Sequence, residues 1–182
     1  MRRPARVMAP LALFLSLGTL TNGCSEAKTK SIPEIPNQFC WNAFDRTAVQ
    51  PLLPQGDKLS QEIDPFQFAE HNSSTSCILY VDGNYGFRAF ADFEDEEDFI
   101  DWSSWAARKP DSVRTGVKGI AWDTGAASYV PCRPLPGAGP STGKFVELRI
   151  HVTDAGGKNA REALPGLLKQ FTAFAQKELK CG

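Results

Sequence analysis

Apolar and polar side chains alternate along two parts of the chain. Between residues 145 and 152 every even position is apolar, whereas positions 147, 149 and 151 are polar. A period of two residues predicts a half-buried antiparallel strand. The apolar run 77–81 precedes an Asp-Gly-Asn turn at 82–84 and alternating residues over 85–93. Because Asp-Gly favours a tight turn, this pattern predicts two strands joined as a hairpin.

Apolar residues at helical spacing mark three further segments. Two of these predicted helices cover residues 41–53 and 94–107, and Pro54 and Pro110 lie beyond their ends. The third predicted helix is at the C-terminus. Asn159 and Glu162 have the spacing of a capping box at the start of this last helix. Pro165 fits best in the first turn of a helix, so a start one residue before it is the alternative.

The order of these elements predicts the fold class. A second hairpin is expected over residues 120–132, with its turn at 123–125. Hairpins that alternate with helices are typical of an α+β domain with an antiparallel sheet. We predict one such domain over residues 39–182, with helices packed on about four to five strands in the order α-β-β-α-β-β-β-α.

The N-terminus has the features of a secretory signal peptide. Three arginines precede an uncharged, apolar stretch over residues 7–20, and a small residue, Gly23, lies before Cys24. A positive head, a short apolar segment and a small residue before the cleavage point are typical of such signals. The apolar stretch is shorter than the about 20 residues that a membrane-spanning helix needs. We predict that residues 1–23 are removed on export, with a buried N-terminal helix as the alternative.

The residues around Cys24 resemble a bacterial lipobox. That motif has a leucine three residues before its cysteine, whereas Thr21 occupies this position here. The resemblance implies that Cys24 carries lipid, including a fatty acid such as palmitate, at the outer face of the cell membrane. Two acyl chains anchor a protein stably, whereas one does so only marginally. Residues 24–38 lack apolar periodicity and are predicted to form a tether between the membrane and the domain. The alternative to a lipid anchor is plain secretion after an ordinary cleavage.

The four other cysteines predict disulfides. They are Cys40, Cys77, Cys132 and Cys181, and an even number in an exported chain indicates paired thiols. None of them lies in a Cys-x-x-Cys pair and the chain has only two histidines, which argues against a zinc site. Three pairings are possible. We predict Cys40–Cys77, which ties the first helix to the first strand, and Cys132–Cys181, which holds the chain end.

Composition excludes several classes of protein. The chain is 42% hydrophobic, and its 20 basic and 21 acidic residues give a formal charge of -1. These values are those of a folded protein, and they lack the positive excess that marks many nucleic-acid binders. Removal of residues 1–23 would discard three basic residues and no acidic one, so the exported chain is more acidic.

No motif in the sequence predicts a catalytic, metal or cofactor site. The acidic segment 92–101 lacks the spacing and the glycine of a calcium loop, and acids of this kind suit the first turn of a helix. The glycine-rich segment 137–144 departs from a phosphate loop at two positions and is predicted to be a flexible connection. His71 and His151 are expected on polar surfaces without a nucleophile motif. Paired carboxylates that meet in space are the alternative for a hydrolase.

The four tryptophans allow two interpretations. An exposed cluster of aromatic rings would indicate carbohydrate or peptide binding, whereas packing on the sheet is the simpler expectation.

As a whole, the mature chain resembles the small lipoproteins of actinobacteria, a family of largely unknown function. The resemblance rests on four segments, namely Thr21-Asn22-Gly23-Cys24, Phe39-Cys40-Trp41, Cys77-Ile78-Leu79-Tyr80 and the C-terminal helix that ends in Cys181. It implies a cell-envelope lipoprotein and supplies no catalytic residue.

We therefore expect a non-catalytic binding or accessory module on the membrane, held by its lipid. Its partner would be an envelope protein or a cell-wall ligand and not a nucleic acid. A carboxylate hydrolase is one alternative, and a purely structural subunit, favoured by an exposed apolar patch, is another.

Overall fold

The computed structural model describes residues 30–69, 72–94, 102–132, 144–153 and 160–181. The predictions for the signal peptide and for Cys24 lie outside these residues. So do those for His71, for most of the acidic and glycine-rich segments, and for Asn159.

Seven strands form one antiparallel sheet in the order β1-β2-β3-β7-β6-β5-β4. The strands are β1 (Leu59–Ile63), β2 (Ser74–Val81), β3 (Asn84–Glu94), β4 (Asp111–Val113), β5 (Lys118–Trp122), β6 (Gly125–Pro131) and β7 (Phe145–Val152). Helices pack on this sheet, so the α+β class with an antiparallel sheet is confirmed. The predicted number of four to five strands is too small.

The two outer strands account for the difference. β1 pairs only with β2, and four of its five residues are exposed. β4 has three residues, of which Val113 alone is buried. A strand that buries no continuous face has no alternating pattern to detect, because alternation reflects burial on one side.

Both predicted hairpins are present with two-residue turns. Val81 pairs with Asn84, and the intervening Asp82 and Gly83 have φ angles of 50° and 80°. Two positive φ angles are typical of the type I′ turn that Asp-Gly favours. In the second hairpin Trp122 pairs with Gly125, which joins β5 to β6.

The predicted first helix is broken. It consists of a 3₁₀ turn at Cys40–Asn42, a short helix α1 (Arg46–Val49) and a second 3₁₀ turn at Gln50–Leu52. All three residues of the first turn have positive φ angles, which a continuous right-handed helix does not allow. Asp45 then starts a new helix, since its side chain accepts a hydrogen bond from the Thr47 backbone N–H at 2.8 Å.

The second predicted helix starts later than expected, whereas the C-terminal helix starts directly after Asn159, as the capping-box spacing predicts. α2 covers Trp102–Ala106, while Glu94, the expected first residue, belongs to β3. α3 covers Ala160–Leu179, so the later start before Pro165 is wrong. Pro165 lies inside the helix and lacks the N–H that would bond the Arg161 carbonyl, a single local loss that the buried face of α3 outweighs. Among the described helices none is both long and apolar enough to cross a membrane.

The main core lies between one face of the sheet and the layer formed by α3 and the N-terminal turns. Phe87, Leu148, Ile150 and Phe171 are all fully buried there. Two disulfides close this layer, and they are the two predicted pairs. Cys40–Cys77 joins the first turn to β2 inside the core, whereas Cys132–Cys181 joins the chain after β6 to the chain after α3.

Candidate functional site

The opposite face of the sheet, here called the outer face, carries polar and aromatic side chains in rows. The antiparallel register sets three rows across β2, β3, β7, β6 and β5. They are Ile78-Arg88-His151-Gly125-Trp122, Ser76-Phe90-Arg149-Ala127-Ile120 and Ser74-Asp92-Glu147-Tyr129-Lys118. Charged residues from distant parts of the sequence are therefore neighbours on this face.

α2 covers the β5–β6 half of the outer face with two indole rings. Trp105 stacks on Trp122 with their ring centroids 5.9 Å apart, and the edge of Trp102 meets Tyr129 at 5.7 Å. The Lys118 ammonium lies 4.1 Å from the centroid of the Trp102 ring. These contacts form a second hydrophobic cluster, so here the tryptophans pack on the sheet, as the simpler interpretation expects.

Gly125 lets the Trp122 ring extend across β6. A Cβ atom at this position would lie 2.5 Å from Trp122 Cζ2 and 2.9 Å from the Ile150 carbonyl oxygen. Because no side chain is present, the indole occupies that space and its ring centroid comes within 5.9 Å of the His151 ring. Because Gly125 has no side chain, the Trp122 ring of β5, on which Trp105 of α2 stacks, reaches His151 at the centre of the outer face.

His151 is half-buried at this centre, whereas the sequence pattern had placed it at the surface. Phe90 and Trp122 lie on two sides of its ring, with centroids 6.3 and 5.9 Å away. Burial, followed by the charges of Arg88, Arg149 and Arg108, lowers the pKa of His151 to about 4. The imidazole is therefore neutral near pH 7 and sits among three guanidinium groups.

Arg149 has its charge balanced. Its guanidinium pairs with the Asp92 carboxylate, and its Nε lies 3.4 Å from Glu147 Oε1. Asp92 and Glu147 face each other across β3 and β7, so they are one pair of carboxylates that meet in space. Both contact Arg149, and the three side chains form an ion-pair network that keeps one net negative charge.

Arg88 and Arg108 differ from Arg149, because neither forms an ion pair with any carboxylate in the described parts of the chain. The Arg88 guanidinium lies 4.5 Å from the centroid of the exposed Tyr85 ring, and that of Arg108 lies 5.9 Å from the Trp122 centroid. Each guanidinium lies over an aromatic ring, a contact that leaves its N–H groups available to a ligand.

Buried donors without acceptors add to this arrangement. Trp122 is 2% exposed, and its Nε1–H has no hydrogen-bond partner within the described structure. Trp102 Nε1 is in the same situation under α2. Both indole N–H groups are closed to solvent, so the donors that a ligand at this face could reach are the guanidinium groups of Arg88 and Arg108.

A groove of about 480 Å³ lies between residues 34–37 and β1. Arg46 is the cation that lines it, and its guanidinium already binds the Ile35 carbonyl, Asn37 Oδ1 and Glu34. Those contacts hold the N-terminal segment in place. They leave the groove without an uncommitted charged group to recognise a ligand.

The described residues contain neither a cluster of metal ligands nor a free thiol. Within them no three His, Cys, Asp or Glu side chains are grouped closely enough to hold a metal ion. The four described cysteines are all paired in disulfides.

Sequence reasoning found part of this site and missed the rest. Alternation along β7 placed His151 on the polar face, and Arg88 has the same signal in β3. Arg108 follows α2, and no sequence pattern predicts that it belongs to this site. It lies over Trp122 only because α2 packs on the outer face.

Comparisons of the chain with protein-family models, curated proteins and solved structures found no match.

Proposed function

We propose that this chain is an exported, lipid-anchored lipoprotein whose domain is a non-catalytic binding or accessory module of the cell envelope. The observation that carries the proposal is the pair of disulfides that close the core of the domain. Disulfides persist in oxidising compartments outside the cytoplasm. They fit an N-terminus that has the pattern of a signal peptide followed by a lipobox-like Cys24.

Binding is favoured over catalysis by the chemistry of the outer face. A hydrolase that uses two carboxylates needs at least one of them free to accept or donate a proton. Asp92 and Glu147 instead share Arg149. A structural subunit without a ligand is also less favoured, because the large apolar residues that are exposed in the described ranges, Ile63, Tyr85 and Val117, lie in three separate elements or turns.

Metabolic labelling with a radioactive or clickable palmitate tests the anchor. The full chain should be labelled in an envelope-bearing bacterial host, and Cys24→Ala should remove the label. Ser25→Ala is the matched control and should keep it. Label that persists in Cys24→Ala, or a wild-type chain that is never labelled, would reject the lipid anchor.

Thiol trapping in intact cells tests the compartment. Cells are treated with an alkylating reagent before lysis, and modification of the full chain is measured by mass spectrometry. We expect Cys40, Cys77, Cys132 and Cys181 to be protected until a reductant is added. Alkylation of all four without reductant would show that the domain stays in a reducing compartment.

A further inference from the structure

We propose that Arg88 and Arg108 form a binding site for the phosphoryl group of a phosphate ester, located over His151 on the outer face. The inference deepens the proposed binding function and rests on it. It names the ligand chemistry and the residues that would recognise it.

The two guanidinium groups approach His151 from opposite sides. Arg88 is the direct cross-strand neighbour of His151 in the β3–β7 pair. On the other side, Trp122 follows Gly125 in the same row, and Arg108 lies over the Trp122 ring. The charges of both arginines act on the His151 ring, so a ligand above the imidazole would lie in the field of both.

The charges of the site favour an anion with more than one negative charge or several acceptor oxygens. Arg149 pairs with two carboxylates, so that group of three side chains carries one net negative charge, and the attraction for an anion must come from the other two arginines. Arg88 and Arg108 retain their full charge within the described structure, and neither can act as an acceptor.

A phosphoryl group fits this donor set better than a carboxylate. One guanidinium satisfies both oxygens of a planar carboxylate in a bidentate pair, which would leave the second arginine unmatched. A tetrahedral phosphoryl group presents oxygens in several directions, so two arginines on opposite sides can each bind it.

Aromatic rings next to Arg88 provide a surface for the organic part of the ester. Tyr85 is 47% exposed, and its ring lies 5.2 Å from that of Tyr80. The Tyr80 hydroxyl donates a hydrogen bond to Glu62 Oε2 at 2.7 Å, which fixes that ring at the β1–β2 side. A sugar, glycerol or acyl portion would lie against these rings while its phosphate lies between the arginines.

Such an ester could be soluble or could be the headgroup of a membrane lipid. The two sources share the phosphoryl chemistry that the arginines recognise, and a lipid-anchored domain would meet both.

NMR titration of the full chain in a maltoside micelle tests the site and separates the sources. The Nε–H signals of the arginines are followed while inorganic phosphate, glycerol 3-phosphate, a short-chain phosphatidylglycerol or acetate is added. We expect the signals of Arg88 and Arg108 to shift together and to saturate with at least one phosphorylated probe. Saturation with phosphatidylglycerol alone indicates a lipid headgroup, whereas saturation with glycerol 3-phosphate indicates a soluble ester.

Three variants make the test specific. Arg88→Gln and Arg108→Gln should each raise the Kd at least tenfold, because each removes one of two charge-assisted contacts. Arg114→Gln removes the same charge from an exposed position after β4 and should change the Kd less than twofold. Circular dichroism of each variant confirms that its fold is retained, and Arg88→Lys, which keeps the charge without the planar fork, should bind with intermediate affinity.

Several outcomes would overturn the inference. They are no shift with any phosphorylated probe, acetate binding as tightly as phosphate, or equal weakening by Arg114→Gln. The outcome is independent of palmitate labelling. A chain that is labelled with palmitate but shows no binding of the phosphorylated probes refutes the arginine site alone. A chain that binds them but is not labelled refutes the lipid anchor alone.

Discussion

At the scale of single residues, two positions in one row of the sheet decide the character of the outer face. Gly125 supplies the space that the Trp122 indole fills, and His151 takes the resulting half-buried position between aromatic rings. The space at Gly125 and the burial of His151 cannot be predicted from the alternation of strand residues, because both depend on which strands are neighbours in the sheet.

Gly125→Ala should destabilise the protein by about 1–3 kcal/mol, because the added methyl group must displace Trp122 or the backbone at Ile150. Urea unfolding measures the change. Gly166→Ala is the control, since a Cβ at Gly166 in α3 meets nothing within 4 Å. That substitution should stabilise the protein by up to about 1 kcal/mol through helix propensity. Equal effects of the two variants would contradict the role of Gly125.

His151 should make stability depend on pH. Its pKa is about 4 in the folded protein, against an ordinary value of 6.5 for histidine. Between these values the unfolded chain binds a proton that the folded chain does not, so stability present at neutral pH is lost as the pH falls from 6.5 to 4. The loss should reach about 2 kcal/mol after allowance for partial exposure of the ring.

Thermal unfolding at several pH values tests this prediction. His151→Gln should remove the loss between pH 6.5 and 4. Asp45, Asp82 and Asp111 have pKa values lowered from 3.8 by hydrogen bonds, first from Thr47, Lys30 and Arg161 respectively, so their contributions are lost at more acidic pH. An unchanged pH dependence in His151→Gln would assign the effect to other groups.

At the scale of elements, α3 is held to the sheet at both ends. At its start the Arg161 guanidinium binds Asp111 at 2.6 Å, Asp123 at 2.8 Å and the Lys109 carbonyl at 2.8 Å. At its end the Cys132–Cys181 disulfide joins it to the chain after β6. Its apolar face lies on the core between these ties, where α3 covers β5, β6 and β7.

Replacement of Cys132 and Cys181 by serine should lower the free energy of unfolding by about 3–4 kcal/mol in the chain-entropy model. Amide hydrogen exchange should accelerate first in the last turn of α3, where the covalent tie is lost. The matched pair Cys40→Ser with Cys77→Ser should leave that turn protected and loosen the N-terminal turns instead. If hydrogen exchange accelerated uniformly in both double variants, the two disulfides would not stabilise separate parts of the domain.

At the scale of the whole molecule, the two disulfides account for a large part of the stability. They connect residues that are 37 and 49 positions apart, so together they constrain much of the unfolded chain. Each is worth roughly 3–4 kcal/mol, while an ordinary domain is stable by only about 5–15 kcal/mol in total.

Reduction should therefore bring the full chain close to unfolding at ambient temperature. Urea unfolding with and without dithiothreitol measures the difference. The midpoint should fall sharply with reductant, and the chain in which all four described cysteines are serine should match the reduced wild type and no longer respond. A midpoint that is insensitive to reductant would show that the hydrophobic core alone suffices.

Patterns in the sequence predicted the elements that bury one complete face. β7 matches its predicted range, both tight turns are present, and the two disulfides pair as expected. The misses are elements that depend on their neighbours. The edge strands β1 and β4 bury too little to alternate, and the first helix is broken at residues 40–42 by positive φ angles that apolar spacing does not encode.

By itself, the sequence determined the α+β class, the paired cysteines and the inward faces of β3 and β7, because these follow from local periodicity and cysteine number. Only the tertiary structure decided what the outer face contains. Arg88, His151 and Arg108 come from β3, β7 and the turn after α2, and long-range strand register and the docking of α2 bring them together. Register is an interaction between distant segments, so no local pattern could place Arg88 and Arg108 beside one neutral histidine.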